Sequence, residues 1–223
     1  MLVLCRQLML LLASIVLASP LAPAEMKTVA VTAIVEHPAL DAARDGIREA
    51  LAEAGWKEGE NLAFSYESAQ GNPATAAQIA RKLVGDEPDV IVPISTPSAQ
   101  TVVAATKDIP VVFTAVTDPV AAKLVASLEK PGGNVTGMSD LSPIGKHLDL
   151  VKEIMPTVKT LGVIYNPGEA NSITLLELLR KEAPAREIAL KEAAAPKSSA
   201  CCRRRRASSV RWMPSTCRPT TRW

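Results

Sequence analysis

Asp89-Val90-Ile91-Val92-Pro93-Ile94-Ser95-Thr96-Pro97-Ser98-Ala99-Gln100-Thr101-Val102 decides the fold. An apolar, β-branched run of strand length stops at a hydroxyl-bearing tip and turns at once into a helical pattern. Three further segments repeat this order. Val29–Val35 stops at Glu36-His37-Pro38, and Val111–Val116 stops at Thr117-Asp118-Pro119. Leu161–Tyr165 stops at Asn166-Pro167-Gly168-Glu169-Ala170-Asn171-Ser172. Apolar strands alternating with helices predict an α/β fold with an open parallel sheet. In such a sheet, small molecules bind in the crevice beyond the carboxyl ends of the strands. The polar residues of this chain therefore stand where a small molecule would sit.

Working outward, the alternation fills most of the chain. Strands are expected at Lys27–Val35, Asn61–Ser68, Asp89–Ile94, Pro110–Val116 and, as a short edge strand, Val135–Met138. Helices are expected at Leu40–Ala54, Ala74–Val84, Ser98–Thr106 and Val120–Leu128. A boundary falls near Ser139–Pro143, after which the pattern restarts: helix Ile144–Met155, strand Thr160–Tyr165, helix Asn171–Lys181, strand Ile188–Glu192. This divides the body into a first α/β lobe, residues 25–139, and the start of an incomplete second α/β lobe, residues 140–200.

The two ends differ from this body. Residues 1–24 contain no acid and hold Arg6, an apolar stretch from Leu8 to Ala18, and the small-residue site Ala22-Pro23-Ala24. That is the pattern of a secretory signal peptide cleaved before Glu25, and the apolar stretch is too short to span a membrane comfortably. Residues 201–223 carry seven Arg, no acid, three of the four Cys and two of the three Trp. Read one base out of frame, Trp212-Met213-Pro214 becomes Asp-Ala. The tail as a whole then admits a helix followed by a buried strand and a polar tip. A frameshift explains this aberrant, poorly packing tail more simply than a nucleic-acid-binding arm does. Without Arg6 and the tail's Arg, residues 25–200 carry 17 basic against 23 acidic residues, a net charge of −6. That balance argues against nucleic acid or anionic lipid as a partner. The body has no cysteine, which removes disulfides and thiol chemistry from consideration.

Each strand tip offers chemistry that has to be weighed. Glu36-His37 joins an imidazole to a carboxylate, the equipment of a general base or a metal ligand. The other histidine, His147, lies in a crossover helix with no ligand spacing to His37, so no metal site is expected. A hydrogen-bonding role in the crevice and a plain loop pair both stay open. Ser95, Thr96 and Ser98 place hydroxyls at a helix N-terminus, where free N–H groups favour a carboxylate; the same residues also suit simple capping. Thr114, Thr117 and Asp118 end the next strand, and Asp118 is the first lobe's acidic candidate for an ammonium group. Asn166, Glu169, Asn171 and Ser172 make the last tip more polar than capping alone requires. Phe113 and Tyr165 are the aromatic candidates near strand tips. No Gly-x-Ser-x-Gly elbow surrounds a serine, and Gly132-Gly133 fits no nucleotide-binding loop, so no cofactor is expected.

Four blocks in order carry a family resemblance: Val35–Asp41, Pro110–Pro119, Pro131–Gly137 and Tyr165–Ser172. They resemble the tryptophan/tyrosine-type substrate-binding proteins of ABC transporters, and the likeness covers residues 27–200. It implies a periplasmic-binding-protein type I-like fold: two Rossmann-like parallel-sheet lobes on a hinge, with the ligand held between them. It also implies a non-enzymatic, exported, periplasmic monomer. Such a protein captures a small molecule, here expected to be an aromatic amino acid, and delivers it to the membrane subunits of an ABC permease. On this reading Ser95 and Thr96 serve the ligand carboxylate. Asp118 or Glu169 serves its ammonium, and Asn166, Asn171 and Ser172 complete the cage. The rival reading is an α/β enzyme using Glu36-His37 or Asp118 as acid–base groups.

Overall fold

The computed structural model describes residues 26–196, so the expected signal peptide and the Arg-rich tail lie outside the described residues. Five parallel strands form the first sheet: β1 (Lys27–Ala33), β2 (Leu62–Ser68), β3 (Val90–Ile94), β4 (Val111–Val116) and β5 (Val135–Ser139). Their spatial order is β2-β1-β3-β4-β5. This order reverses between β1 and β3, and a doubly wound sheet opens a crevice at such a switch point.

Alternation along the strands sorts the core into two layers. Val29, Val31 and Ala33 of β1, with Val92 and Ile94 of β3, pack under α1 (Pro38–Glu53) through Leu40, Ala43, Ile47 and Leu51. Ala30, Ile91, Val111 and Phe113 point to the other face. There they meet Ala76, Ile79, Ala80 and Leu83 of α2 (Pro73–Gly85) and Ala99, Val102 and Val103 of α3 (Thr96–Ala105). Proline lies in the first turn of all three helices, where its fixed φ suits the helix and its missing N–H costs nothing. Arg44 and Arg48 of α1 lie over the rings of Tyr66 and Phe64 of β2, 4.9 and 4.4 Å from their centroids.

Two expectations are corrected here. The segment Val120–Leu128 is a set of turns rather than a helix. Lys123 takes a φ of 60°, which no α-helix admits, and the amides of Leu124 and Val125 both fold back onto the Pro119 carbonyl. Phe113 is 3% exposed and belongs to the core, not to a ligand surface. Its strand also contains a bulge. Phe113 pairs with Gly137 but Val116 with Ser139, so β4 advances one residue more than β5. Ala115, at φ 52°, absorbs the extra residue and keeps Val116 on the buried face with Val111 and Phe113.

The amino ends of β1 and β3 are locked together by Asp89. Its carboxylate accepts hydrogen bonds from the Thr28 N–H (2.7 Å), the Thr28 hydroxyl (2.8 Å) and the Lys27 ammonium (3.1 Å). These donors, the Thr28 amide foremost, hold its pKa down to about 2. A carboxylate depressed on folding contributes stability that is complete above the unfolded pKa, near pH 4, and is lost as pH falls towards about 2. Asp89→Asn is therefore expected to flatten the acid limb of the thermal midpoint against pH in this window. An acid limb as steep as the parent's would show that Asp89 does not cause it.

Beyond Ser139 the chain builds a second, two-stranded parallel sheet from β6 (Thr160–Tyr165) and β7 (Ala189–Ala194), joined by α5 (Ala170–Glu182) and preceded by α4 (Ile144–Ile154). Its core is Ile144, Leu148, Ala183 and Ile188, with Leu161, Leu179 and Leu190 packed against them. Arg186 bridges Asp149 of α4 (2.6 Å) and Glu182 of α5 (2.9 Å), fixing the two helices across this core. Ala170, at the start of α5, packs on the core of the first lobe. No helix among the described residues is long and apolar enough to cross a membrane.

Candidate functional site

The two lobes bound an open cleft of about 1540 Å³. One wall comes from the first lobe: Ile34 and Val35 beyond β1, Gln70 and Gly71 beyond β2, and the start of α3 at Pro97, Gln100 and Thr101. The other comes from the tip of β6 and the start of α5, namely Tyr165, Asn166, Gly168, Glu169 and Ser172. Both walls are thus built from carboxyl ends of parallel strands, as the sheet order requires.

The second-lobe wall is a hydrogen-bonded unit. Asn166 donates through its side-chain amide to Glu169 Oε1 (2.7 Å), and its Oδ1 accepts the Gly168 N–H (3.0 Å). The Asn166 N–H donates to Ser172 Oγ (2.9 Å). Glu169 occupies the N-cap position of α5 but makes no side-chain cap, so its carboxylate serves Asn166 instead. Asn171, in the first turn of α5, does not line the cleft; its Oδ1 is buried with no hydrogen-bond partner.

The first-lobe candidates divide by what they touch. His37 accepts the Ala39 N–H on Nδ1 (3.2 Å), which makes it the N-cap of α1. Glu36 accepts from the Gln70 side-chain amide (2.9 Å). The pair thus turns to separate partners and is not assembled as an acid–base couple. Ser95 makes no side-chain cap to α3; its hydroxyl lies 3.5 Å from that of Ser98. Its backbone sits at φ 84°, ψ 155°, a region normally reserved for glycine, so the β3 tip is strained at the start of α3. Thr96 is 2% exposed, and its hydroxyl accepts the Thr117 N–H (3.4 Å), tying the β3 tip to the β4 tip. The Thr117 carbonyl accepts from Ser139 Oγ (2.8 Å), and the Thr114 carbonyl accepts the Ser95 N–H (2.9 Å). Asp118 spends Oδ1 on the N–H groups of Val120 (3.0 Å) and Ala121 (2.9 Å), holding the turn that replaces the expected helix. Among the described residues, no group of three or more His, Cys, Asp or Glu could hold a metal ion.

Of the sequence candidates, then, Asn166, Glu169 and Ser172 line the cleft, joined by Tyr165. Gln70, Arg81, Gln100 and Thr101 line it as well and were not among the sequence candidates.

Two parallel α/β lobes that present strand tips to each other across an open cleft define the class: a periplasmic-binding-protein type I-like architecture. The family follows from comparison with known proteins. The chain belongs to the ABC transporter substrate-binding protein family, whose model matches residues 28–203. A tyrosine-binding protein of Clostridioides difficile (strain R20291) is 51% identical over 148 residues, 66% of this chain and 43% of that protein. The crystal structure of a conserved domain protein from Vibrio cholerae O1 biovar El Tor is 60% identical, with a TM-score of 0.77 over 78% of this chain and 59% of that one. The ABC domain from Streptococcus pneumoniae, crystallised with L-Trp, is 37% identical, with a TM-score of 0.76 over 78% of this chain and 59% of that one. The chain thus spans less than two thirds of the length of each of these relatives.

Proposed function

We propose that this chain is the exported, periplasmic solute-binding component of an ABC importer, which captures an aromatic amino acid between its lobes and delivers it to the permease. The observation that carries this reading is the cleft itself. Strand tips of both lobes wall it, with Ile34, Val35, Gln70 and Arg81 among the residues on one side and the Asn166–Glu169–Ser172 unit on the other. The tyrosine and tryptophan named for two of the relatives support the aromatic class.

Each part of such a ligand finds a chemical counterpart. The carboxylate goes to the N-terminus of α3, where Ser95 leaves the first amides without a side-chain cap and the helix dipole favours an anion. The ammonium goes to Glu169, and the ring to the Tyr165 face and the apolar residues of the first-lobe wall. A cleft of about 1540 Å³ is far larger than one amino acid. Ligand sites that bury their occupant hold roughly 300–1,000 Å³, so capture involves closure of the lobes about the Ser139–Pro143 boundary. Thr96, Thr117 and Ser139 brace the strand tips beside that boundary.

The test is thermal stabilisation of the full chain by L-tryptophan, L-tyrosine and, as a control, L-aspartate. Saturation about a hundredfold above Kd raises stability by about 2.7 kcal/mol. The aromatic amino acids are expected to raise the midpoint without being consumed and the control to leave it unchanged. A midpoint that neither aromatic amino acid moves would overturn the reading.

A further inference from the structure

We propose that Gln70 is a specificity-determining residue, whose amide oxygen accepts a hydrogen bond from the ring end of the ligand. This rests on the capture reading above. Gln70 stands at the tip of β2 in a left-handed conformation (φ 51°) and faces the cleft. Its side-chain nitrogen donates to Glu36 Oε1 at 2.9 Å and to Ser68 Oγ at 3.2 Å. A primary amide has two N–H hydrogens, and these two partners use both. An ionised carboxylate only accepts, so it fixes which end of the amide faces Glu36 and leaves Oε1 as the group with capacity to spare. Glu36 is thus a positioning residue that acts through Gln70.

The surroundings say which end of the ligand meets this oxygen. Ile34, Val35, Pro73 and Ala77 share the first-lobe wall with Gln70, while Asn166 and Glu169 lie on the opposite lobe. Arg81, Gln100 and Thr101 line that wall too; all three side chains can donate, but only Gln100 and Thr101 can also accept. An acceptor in such a wall suits a ring that carries one donor. Tryptophan has an indole N–H and tyrosine a phenolic O–H; phenylalanine has neither. A site built around such an acceptor rejects the analogue that leaves it unpaired.

The experiment is calorimetric titration of the full chain and its variants with L-tryptophan and L-phenylalanine. The ratio of the two affinities is read on each preparation, so a change in folded fraction cancels. The parent is expected to prefer tryptophan by tenfold or more. Gln70→Met, which keeps the length and loses the acceptor, is expected to bring the ratio to within threefold by weakening tryptophan binding and strengthening that of phenylalanine, which no longer leaves an acceptor unpaired. Glu36→Met frees the amide to rotate and is expected to reduce the ratio severalfold. Glu36→Gln, which can still accept from Gln70, is expected to restore it. A parent that binds neither amino acid would overturn the capture reading. A parent that binds both, with Gln70→Met weakening both alike or leaving the ratio intact, would overturn the Gln70 assignment alone.

Discussion

Gly137→Ala is expected to be among the most destabilising single substitutions in the first lobe, although it adds one methyl group on an edge strand. Gly137 pairs directly with Phe113 across the β4–β5 ladder. A Cβ there would overlap the Phe113 carbonyl oxygen and come within 2.6 Å of atoms of the Phe113 ring. The ring cannot retreat, because Phe113 is 3% exposed and packed in the core shared with α2 and α3. The carbonyl cannot retreat without breaking the ladder. Overpacking of a filled site costs about 1–3 kcal/mol, and a backbone clash belongs at the upper end, about 3 kcal/mol. For a chain of this size that lowers the thermal midpoint by roughly 10 °C. Gly132 provides the control. It too has a positive φ (74°), but nothing lies within 4 Å of its would-be Cβ. Gly132→Ala should therefore show only the backbone cost, about 1–2 kcal/mol. Adding Phe113→Leu to Gly137→Ala should not recover the loss, since the carbonyl overlap persists. Urea unfolding of the three variants measures the difference. Equal midpoints for Gly137→Ala and Gly132→Ala would show that β5 has room the geometry denies.

The consequences reach the cleft, because β5 leads directly to the boundary between lobes. Ser139 closes the strand by donating to the Thr117 carbonyl, and the Asp140 N–H donates to that of Val116. A β5 pushed off β4 would loosen these bonds and with them the Thr117–Thr96 link at the β3 tip.

What the sequence discloses and what it hides have physical reasons. The strands of the first lobe and the helices α1 to α3 were legible because burial on both faces of the central strands forces β-branched runs, and the runs of β1 and β3 end at a proline-marked helix start. The same signature was present at Ser68-Ala69-Gln70-Gly71-Asn72-Pro73. It is harder to read there, because β2 is an edge strand whose alternation (Leu62, Phe64, Tyr66) breaks the continuous apolar run. Gln70 is hidden for that reason. The apolar residues of Val120–Leu128 suit a helix, but Asp118 and the left-handed Lys123 shape turns that bury Ala122, Leu124 and Val125 in the core and leave Val120 and Leu128 exposed. Phe113 looked like a tip residue because nothing local marks the bulge at Ala115, a non-glycine residue with positive φ. The strain at Ser95 is invisible for the same reason. Arg81 and Thr101 line the cleft only because of how the lobes meet, and no local pattern encodes that.

Glu169→Gln is expected to lose most ligand binding while Asp118→Asn loses little, although both carboxylates are acidic candidates for an ammonium on sequence grounds. The geometry separates them. Asp118 is committed to its own turn through two backbone N–H groups. Removing its charge weakens a cap-like interaction worth about 1 kcal/mol and should leave affinity within about threefold. Glu169 faces the cleft, and one carboxylate oxygen is held at 2.7 Å by Asn166, whose own oxygen is fixed by the Gly168 N–H. That leaves the second oxygen for the ligand, on a side chain already oriented, so little freedom is lost on binding. Breaking one partner of a desolvated charged hydrogen bond costs about 2–5 kcal/mol, roughly 30-fold or more in affinity. The amide of Glu169→Gln preserves shape and can still bond to Asn166, so the thermal midpoint without ligand should stay near the parent's. Removing the orienting partner with Asn166→Ala should weaken binding less than Glu169→Gln, because the charge remains. Titration with L-tryptophan, with melting curves on the same preparations, tests all three variants. Tight binding by Glu169→Gln together with loss of binding in Asp118→Asn would move the ammonium site to the first lobe.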